Sequence, residues 1–222
     1  MKSPVRAVLL ALLASFLFTL ETIVVKAAEG VPLATIVLAR SLGQLAWAMP
    51  SAIADPRVLR SARPGLAILR GAFSGVSWWM YFVAFATLPL ALATVLSFTS
   101  VLFVTALAGP VLGEAVRWRR WTATLAGFGG VVVMLQPWSA GAVPIGWPVL
   151  AAIGSAFLGA VIMLTTKMLA RSERTATIML YIGAVTTLMT LPVALPGLAW
   201  PGWWNLLLLV GTGLCGPFAM HV

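Results

Sequence analysis

The sequence predicts an all-α polytopic membrane protein of about eight transmembrane helices. Three observations carry this. Hydrophobic residues make up 61% of the 222 and charged residues 9%, where soluble domains carry roughly 25% charged residues. The mean hydropathy is +1.05. Apolar runs of about twenty residues, each long enough for a bilayer core, recur from end to end.

The spans fall in order at 6–27, 32–54, 65–88, 90–113, 119–137, 147–169, 176–195 and 202–222. The first follows Lys2 and Arg6 in the manner of a secretory leader. Its apolar run passes through Glu21 to Val25 without an A-x-A pattern, which predicts a retained helix. The third and fourth are separated only by Leu88-Pro89-Leu90, where proline lacks the N–H that helix continuation needs, so a tight turn is expected. No linker, low-complexity stretch or extramembrane domain interrupts the series.

Charge sets the expected orientation. Lys2 and Arg6, then Arg57, Arg60, Arg63 and Arg70, then Arg117, Arg119 and Arg120, then Lys167, Arg171 and Arg174 fall at alternate connections, 12 of the 14 basic residues. Positive residues stay on the cytoplasmic side, so the N-terminus is expected there, in a multi-pass protein of the cytoplasmic (inner) membrane. Trp138, Trp147, Trp200, Trp203 and Trp204 then gather at the outer interface, and Trp118 and Trp121 at the inner one. The net charge of +9 is thus a topology signal, and no nucleic-acid partner is expected.

An internal repeat is visible. Ser15-Phe16-Leu17 through Lys26 aligns with Ala156-Phe157-Leu158 through Lys167 at an offset of 141, and Thr35-Ile36-x-Leu38 with Thr177-Ile178-x-Leu180 at an offset of 142. Pro50 falls on Pro192, and Pro64-Gly65 on Pro201-Gly202. Five spans separate the copies, so the second lies inverted in the membrane, as in secondary transporters with a midplane site. Residues 1–137 form the first repeat and 138–222 the second, which supplies counterparts of only three spans. The expectation is a ten-helix fold shortened by two, with a true eight-span variant as the rival reading.

Arg70-Gly71 at the start of the third span precedes Phe82-x-Ala84-x-x-x-Leu88-Pro89-Leu90-Ala91-x-Ala93, then Leu112-Gly113-Glu114, Trp121 and Gly127-x-x-Gly130-Val131. This pattern resembles the EamA-like repeat of the drug/metabolite transporter superfamily. Residues 6–137 resemble a complete repeat, whereas the region from about 146 matches by spacing alone. The resemblance implies two inverted five-helix repeats around a central cavity for small metabolites.

Charges deep in a span cost roughly 2.5–3.5 kcal/mol each. Glu21 lies about 9 Å from the outer end of the first span and Arg40 about 12 Å from the outer start of the second, taking 1.5 Å per residue. Two readings are open. Either Glu21 binds a proton or a cation while Arg40 holds a carboxylate, or the two form a static interhelical pair. Lys26 is expected to snorkel and Arg70 to anchor at the interface, with a gate role as its alternative, while Glu114 is expected to pair with nearby arginines.

In the third span Trp78 and Tyr81 are candidates for stacking an aromatic or cationic solute, beyond a small-residue approach at Gly71 and Gly75. Thr94 and Ser97 in the fourth are candidate cavity hydroxyls, against the alternative that each bonds its own helix. Gly127 and Gly130 read as packing positions, and Pro110 and Pro217 as kinks.

One cysteine, Cys215, and one histidine, His221, exclude an internal disulfide and a His/Cys metal cluster. No phosphate-loop, H-E-x-x-H or G-x-S-x-G motif occurs, so neither an enzyme nor a bound cofactor is expected. The expected activity is secondary active transport, as an exporter, of a small organic metabolite such as an amino acid or related amphipathic compound. Alternating access is expected and, on the first of the two readings of Glu21, proton coupling through Glu21 tuned by Arg40. Flipping of a lipid-linked substrate, and a shortened non-transporting protein, are the alternatives. Membrane lipids and the small solute are the expected partners, and a homodimer is left open.

Overall fold

The computed structural model describes residues 30–113, 117–140, 146–197 and 202–221, together with Leu9, Leu12, Leu13 and Phe16. Among the described residues the regular structure is helical. The helices are α1 (Leu33–Ala54), α2 (Pro64–Thr87), α3 (Leu90–Leu112), α4 (Trp118–Leu135), α5 (Trp147–Leu169), α6 (Thr175–Ala194) and α7 (Gly202–His221). They agree with the second to eighth expected spans to within two residues at each end. The first span, with Glu21 and Lys26, and also Glu114, lie outside the described residues.

Among the described residues four helical stretches, Pro64–Thr87, Leu90–Leu112, Trp147–Leu169 and Thr175–Gly197, are long and apolar enough to cross a membrane. The apolar run of α1 is broken by Arg40, Ser41 and Gln44, all of them buried. Outward positions are apolar instead: Ile53, Met163, Leu188 and Leu207 are all exposed. Such a surface suits lipid and not water. The tryptophans at the helix ends, Trp118, Trp138, Trp147, Trp203 and Trp204, are exposed as well, as an aromatic belt requires.

Local sequence sets the helix ends. Pro89 sits in extended conformation between α2 and α3, so the expected tight turn is present. Gly113 closes α3 at φ 68°, a left-handed conformation that glycine adopts without a Cβ clash.

The chain forms two compact units, residues 1–72 with 172–222, and residues 73–171. In the first, α1 packs along α6 and α7. Thr187 Oγ1 donates to Ser41 Oγ at 3.0 Å, and Ser41 Oγ passes the chain on to Leu38 O at 2.9 Å. One turn away Gly183 lies against Leu45: a Cβ at Gly183 would fall 2.9 Å from Leu45 Cγ and 3.0 Å from its backbone N. The rising index on α1 meets the falling index on α6, so the two helices are antiparallel.

The same two helices are related by the offset of 142. Thr177, Ile178, Met179, Ile182, Gly183, Thr186, Thr190 and Ala194 are buried on α6. Their counterparts Thr35, Ile36, Val37, Arg40, Ser41, Gln44, Ala48 and Ala52 are all buried on α1. Exchanging the helices also turns the Ser41–Thr187 contact into the Gly183–Leu45 contact.

In the second unit α3 packs on α4 and α5. Ala84, Leu88, Ala93 and Ala152 form a buried cluster that Phe85, Leu92, Leu96 and Val149 surround. Ala151, Ala152, Ser155, Ala156 and Ala160 give α5 a buried small-residue face, which lets helices approach closely where no hydrophobic force separates protein from lipid. Ser77 Oγ donates to Ser155 O at 3.2 Å, tying α2 to α5. Phe103 meets Phe157 edge to face at 5.5 Å.

Candidate functional site

Polar side chains concentrate inside the first unit. Arg40, Ser41 and Gln44 on α1, Arg70 near the start of α2, and Thr177, Thr186 and Thr190 on α6 are all buried. Arg40 and Gln44 stand four residues apart, so they share a face of α1. Arg40, Gln44 and Arg70 each hold a polar, ring or charge interaction within the molecule. A charged or amide group buried in a membrane helix is retained for a partner or for a solute path.

Arg70 corrects the sequence expectation. At 3% exposure it is packed inside the unit and does not anchor at the lipid interface. The next residue explains the packing: a Cβ at Gly71 would lie 2.8 Å from Val185 Cβ, so α2 and α6 touch almost backbone to backbone there. Thr186 Oγ1 points at Gly71 O across the same contact, at 3.5 Å.

Several threonines in these helices donate to a carbonyl one turn back. Thr87, Thr105, Thr165 and Thr166 do so at 2.6–2.9 Å. Thr35 Oγ1 and Thr190 Oγ1 differ: both are buried with no hydrogen-bond partner among the described residues. Each retains a donor and an acceptor for water or solute.

The second unit holds the other sequence candidates. Tyr81 stacks on Phe85 with ring centroids 4.3 Å apart and meets Phe82 edge to face at 5.7 Å. Trp78 and Tyr81 are half-buried on α2, and Ser97 on α3. Thr94 Oγ1 donates to Leu90 O at 2.7 Å, the own-helix bond that the sequence left as the alternative to cavity lining. Arg40 therefore belongs to one unit and Trp78, Tyr81, Thr94 and Ser97 to the other.

A polar clip that sequence reasoning missed joins the α1–α2 connection to the start of α6, within the first unit. Arg174 Nη1 donates to Asp55 Oδ2 at 2.6 Å. Ser61 Oγ and the Arg63 backbone N–H both donate to Glu173 Oε1, at 2.5 and 3.1 Å. Tyr181 Oη donates to Leu59 O at 3.2 Å. The hydrogen bond from Arg174, then that from the Arg57 backbone N–H, holds the Asp55 carboxyl below its ordinary value of 3.8. The partners are 119, 112 and 122 residues apart in sequence, so no local pattern announces them.

These features define a polytopic helical membrane protein with polar groups buried in an apolar core and an apolar exterior. The chain belongs to the EamA-like transporter family, whose pattern matches residues 5–136. It is 36% identical over 165 residues to an S-adenosylmethionine uptake transporter of Rickettsia prowazekii (strain Madrid E), covering 73% of this chain and 54% of that protein. It is 37% identical over 148 residues to a riboflavin transporter of Rhizobium johnstonii, covering 66% and 47%. A pseudopaline exporter of Pseudomonas aeruginosa is 32% identical over 216 residues, covering 92% of this chain and 73% of that protein. The chain thus spans about half the length of several curated relatives it matches. A solved structure shares the fold with a TM-score of 0.77 at 21% identity, covering 99% of this chain and 78% of that one.

Proposed function

We propose that this protein is a secondary active transporter that exports a small organic metabolite, such as an amino acid or related amphipathic compound, by alternating access. The observation that carries the reading is the polar face of α1, Arg40 with Gln44, buried in a membrane protein of a transporter family. Relatives named for S-adenosylmethionine, riboflavin and pseudopaline support a small organic solute. One relative, covered over 73% of its own length, is named an exporter, which supports that direction.

The mechanism rests on duplication. The matched buried faces of α1 and α6 support repeats at residues 1–137 and 138–222, inverted about an axis in the membrane plane. Helices related in this way exchange roles when access switches from one side to the other. Arg40 is assigned to a substrate carboxylate and Glu21 to the coupling proton; within the second unit Trp78, Tyr81 and Ser97 are kept as lining residues, while Thr94 is left to its own helix by its bond to Leu90 O. The N-terminus is placed in the cytoplasm and the protein in the inner membrane, on the strength of the alternating basic connections.

Proteoliposomes loaded with S-adenosylmethionine, riboflavin or an amino acid mixture test the reading. Efflux of at least one solute above protein-free vesicles, driven by a pH gradient and lost in Arg40→Gln, is the expected result. Proton dependence that survives Glu21→Gln removes Glu21 from the mechanism.

A further inference from the structure

The α1–α2 connection has two faces of opposite character. Inward, Asp55 is engaged by Arg174, Ser61 is bonded to Glu173, and Val58 is buried. Outward, Arg57, Arg60 and Arg63 are exposed, and among the described residues no carboxylate pairs with their side chains. Leu59 stands 52% exposed between Arg57 and Arg60, at the end of the short 3-10 turn Pro56–Leu59. Its own carbonyl is fixed from below by Tyr181.

The clip therefore consumes Asp55, the acidic residue of this connection, together with Glu173 of the facing one, and leaves three exposed arginines flanking the exposed Leu59 along the chain. Its backbone is held at Arg57, Leu59 and Arg63. The connection joins directly to α2, a helix long and apolar enough to cross the bilayer, so it lies at headgroup depth. Guanidinium groups bind phosphate through parallel N–H donors, and an exposed leucine at that depth enters the acyl boundary.

We propose that the turn from Arg57 to Arg63 is a binding site for anionic phospholipid, with the arginines on the headgroup phosphate diester and Leu59 among the acyl chains. The site is independent of which solute the protein moves. Holding the backbone in advance reduces the ordering cost of binding, so the clip residues position the arginines without touching lipid.

Native mass spectrometry of the full chain in detergent, titrated with phosphatidylglycerol and separately with phosphatidylcholine, tests this. Phosphatidylglycerol is expected to form the tighter first adduct. Arg57→Gln, Arg60→Gln and Arg63→Gln are each expected to weaken it about fivefold, the equivalent of about 1 kcal/mol per arginine near an anionic surface. Single substitutions leave the connection basic, so topology and folding are retained. Asp55→Asn, which releases the clip while keeping all three arginines, is expected to weaken the adduct by a smaller factor. Phosphatidylglycerol affinity unchanged in all three arginine variants overturns the proposal. So does an equal loss in Arg119→Gln at another connection, which identifies general charge attraction. Displacement of the lipid by millimolar inorganic phosphate also overturns it, by identifying a soluble-phosphate site.

Discussion

Thr187 donates its hydroxyl hydrogen to Ser41 at 3.0 Å, and moving each residue by 142 positions lands on Gly183 and Leu45, which also touch. A hydroxyl pair on one side of the seam is thus matched by a glycine and a leucine on the other. The local two-fold relation keeps the contact positions and changes their chemistry. It supplies the close α1–α6 approach on which an inverted-repeat mechanism depends.

That approach predicts a steric cost. Gly183→Ala places a methyl 3.0 Å from the Leu45 backbone N, which cannot rotate away. A loss of about 1–3 kcal/mol is expected, read as a lower thermal midpoint in detergent. Gly127 and Gly130 on α4, expected from sequence to be packing positions, instead have nothing within 4 Å of an added Cβ, so Gly127→Ala is expected to be neutral or to gain up to about 1 kcal/mol from helix propensity.

Thr190 separates packing from function. Valine has nearly the same shape and removes a buried hydroxyl that bonds to no described residue, so Thr190→Val is expected to leave stability unchanged or raise it by about 1 kcal/mol. If the hydroxyl serves the solute path, the same variant lowers flux. A stable variant with full flux assigns Thr190 to packing alone.

The Asp55–Arg174 contact has a defined pH range. Because the folded carboxyl titrates below 3.8, its contribution is present above that value and is lost as pH falls through the folded pKa. Hydrogen exchange across residues 55–63 is expected to stay slow from pH 7 to about 5 and to rise in strong acid. Asp55→Asn is expected to show fast exchange at neutral pH. The groups are exposed, so the effect is local and the global midpoint moves little.

Much of the architecture was legible because apolar length and charge placement are local properties. Pro89 ended a helix where its missing N–H required, and the run 147–169 became α5 without a shift. The offset of 142 came from sparse identities such as Thr35 and Thr177, whereas the burial match shows the whole face behind them. Arg70 was misread because an arginine near a helix end has the same sequence signature whether it faces headgroups or the glycine contact beside it. The Glu173–Ser61 link was invisible for another reason, since it joins connections 112 residues apart through groups that are unremarkable singly. Thr190 could have been singled out by its place below Thr186 on one helix face, although its lack of a partner is visible only in three dimensions.

The central claim is that the buried polar face of α1 serves solute transport. Counterflow of a radiolabelled amino acid panel into preloaded proteoliposomes tests it most directly, comparing the parent chain, Arg40→Gln and Thr94→Val. The account predicts uptake above protein-free vesicles, a loss of at least tenfold in Arg40→Gln, and retention in Thr94→Val, whose hydroxyl is bonded to Leu90 O. Equal uptake by the parent chain and Arg40→Gln would contradict it.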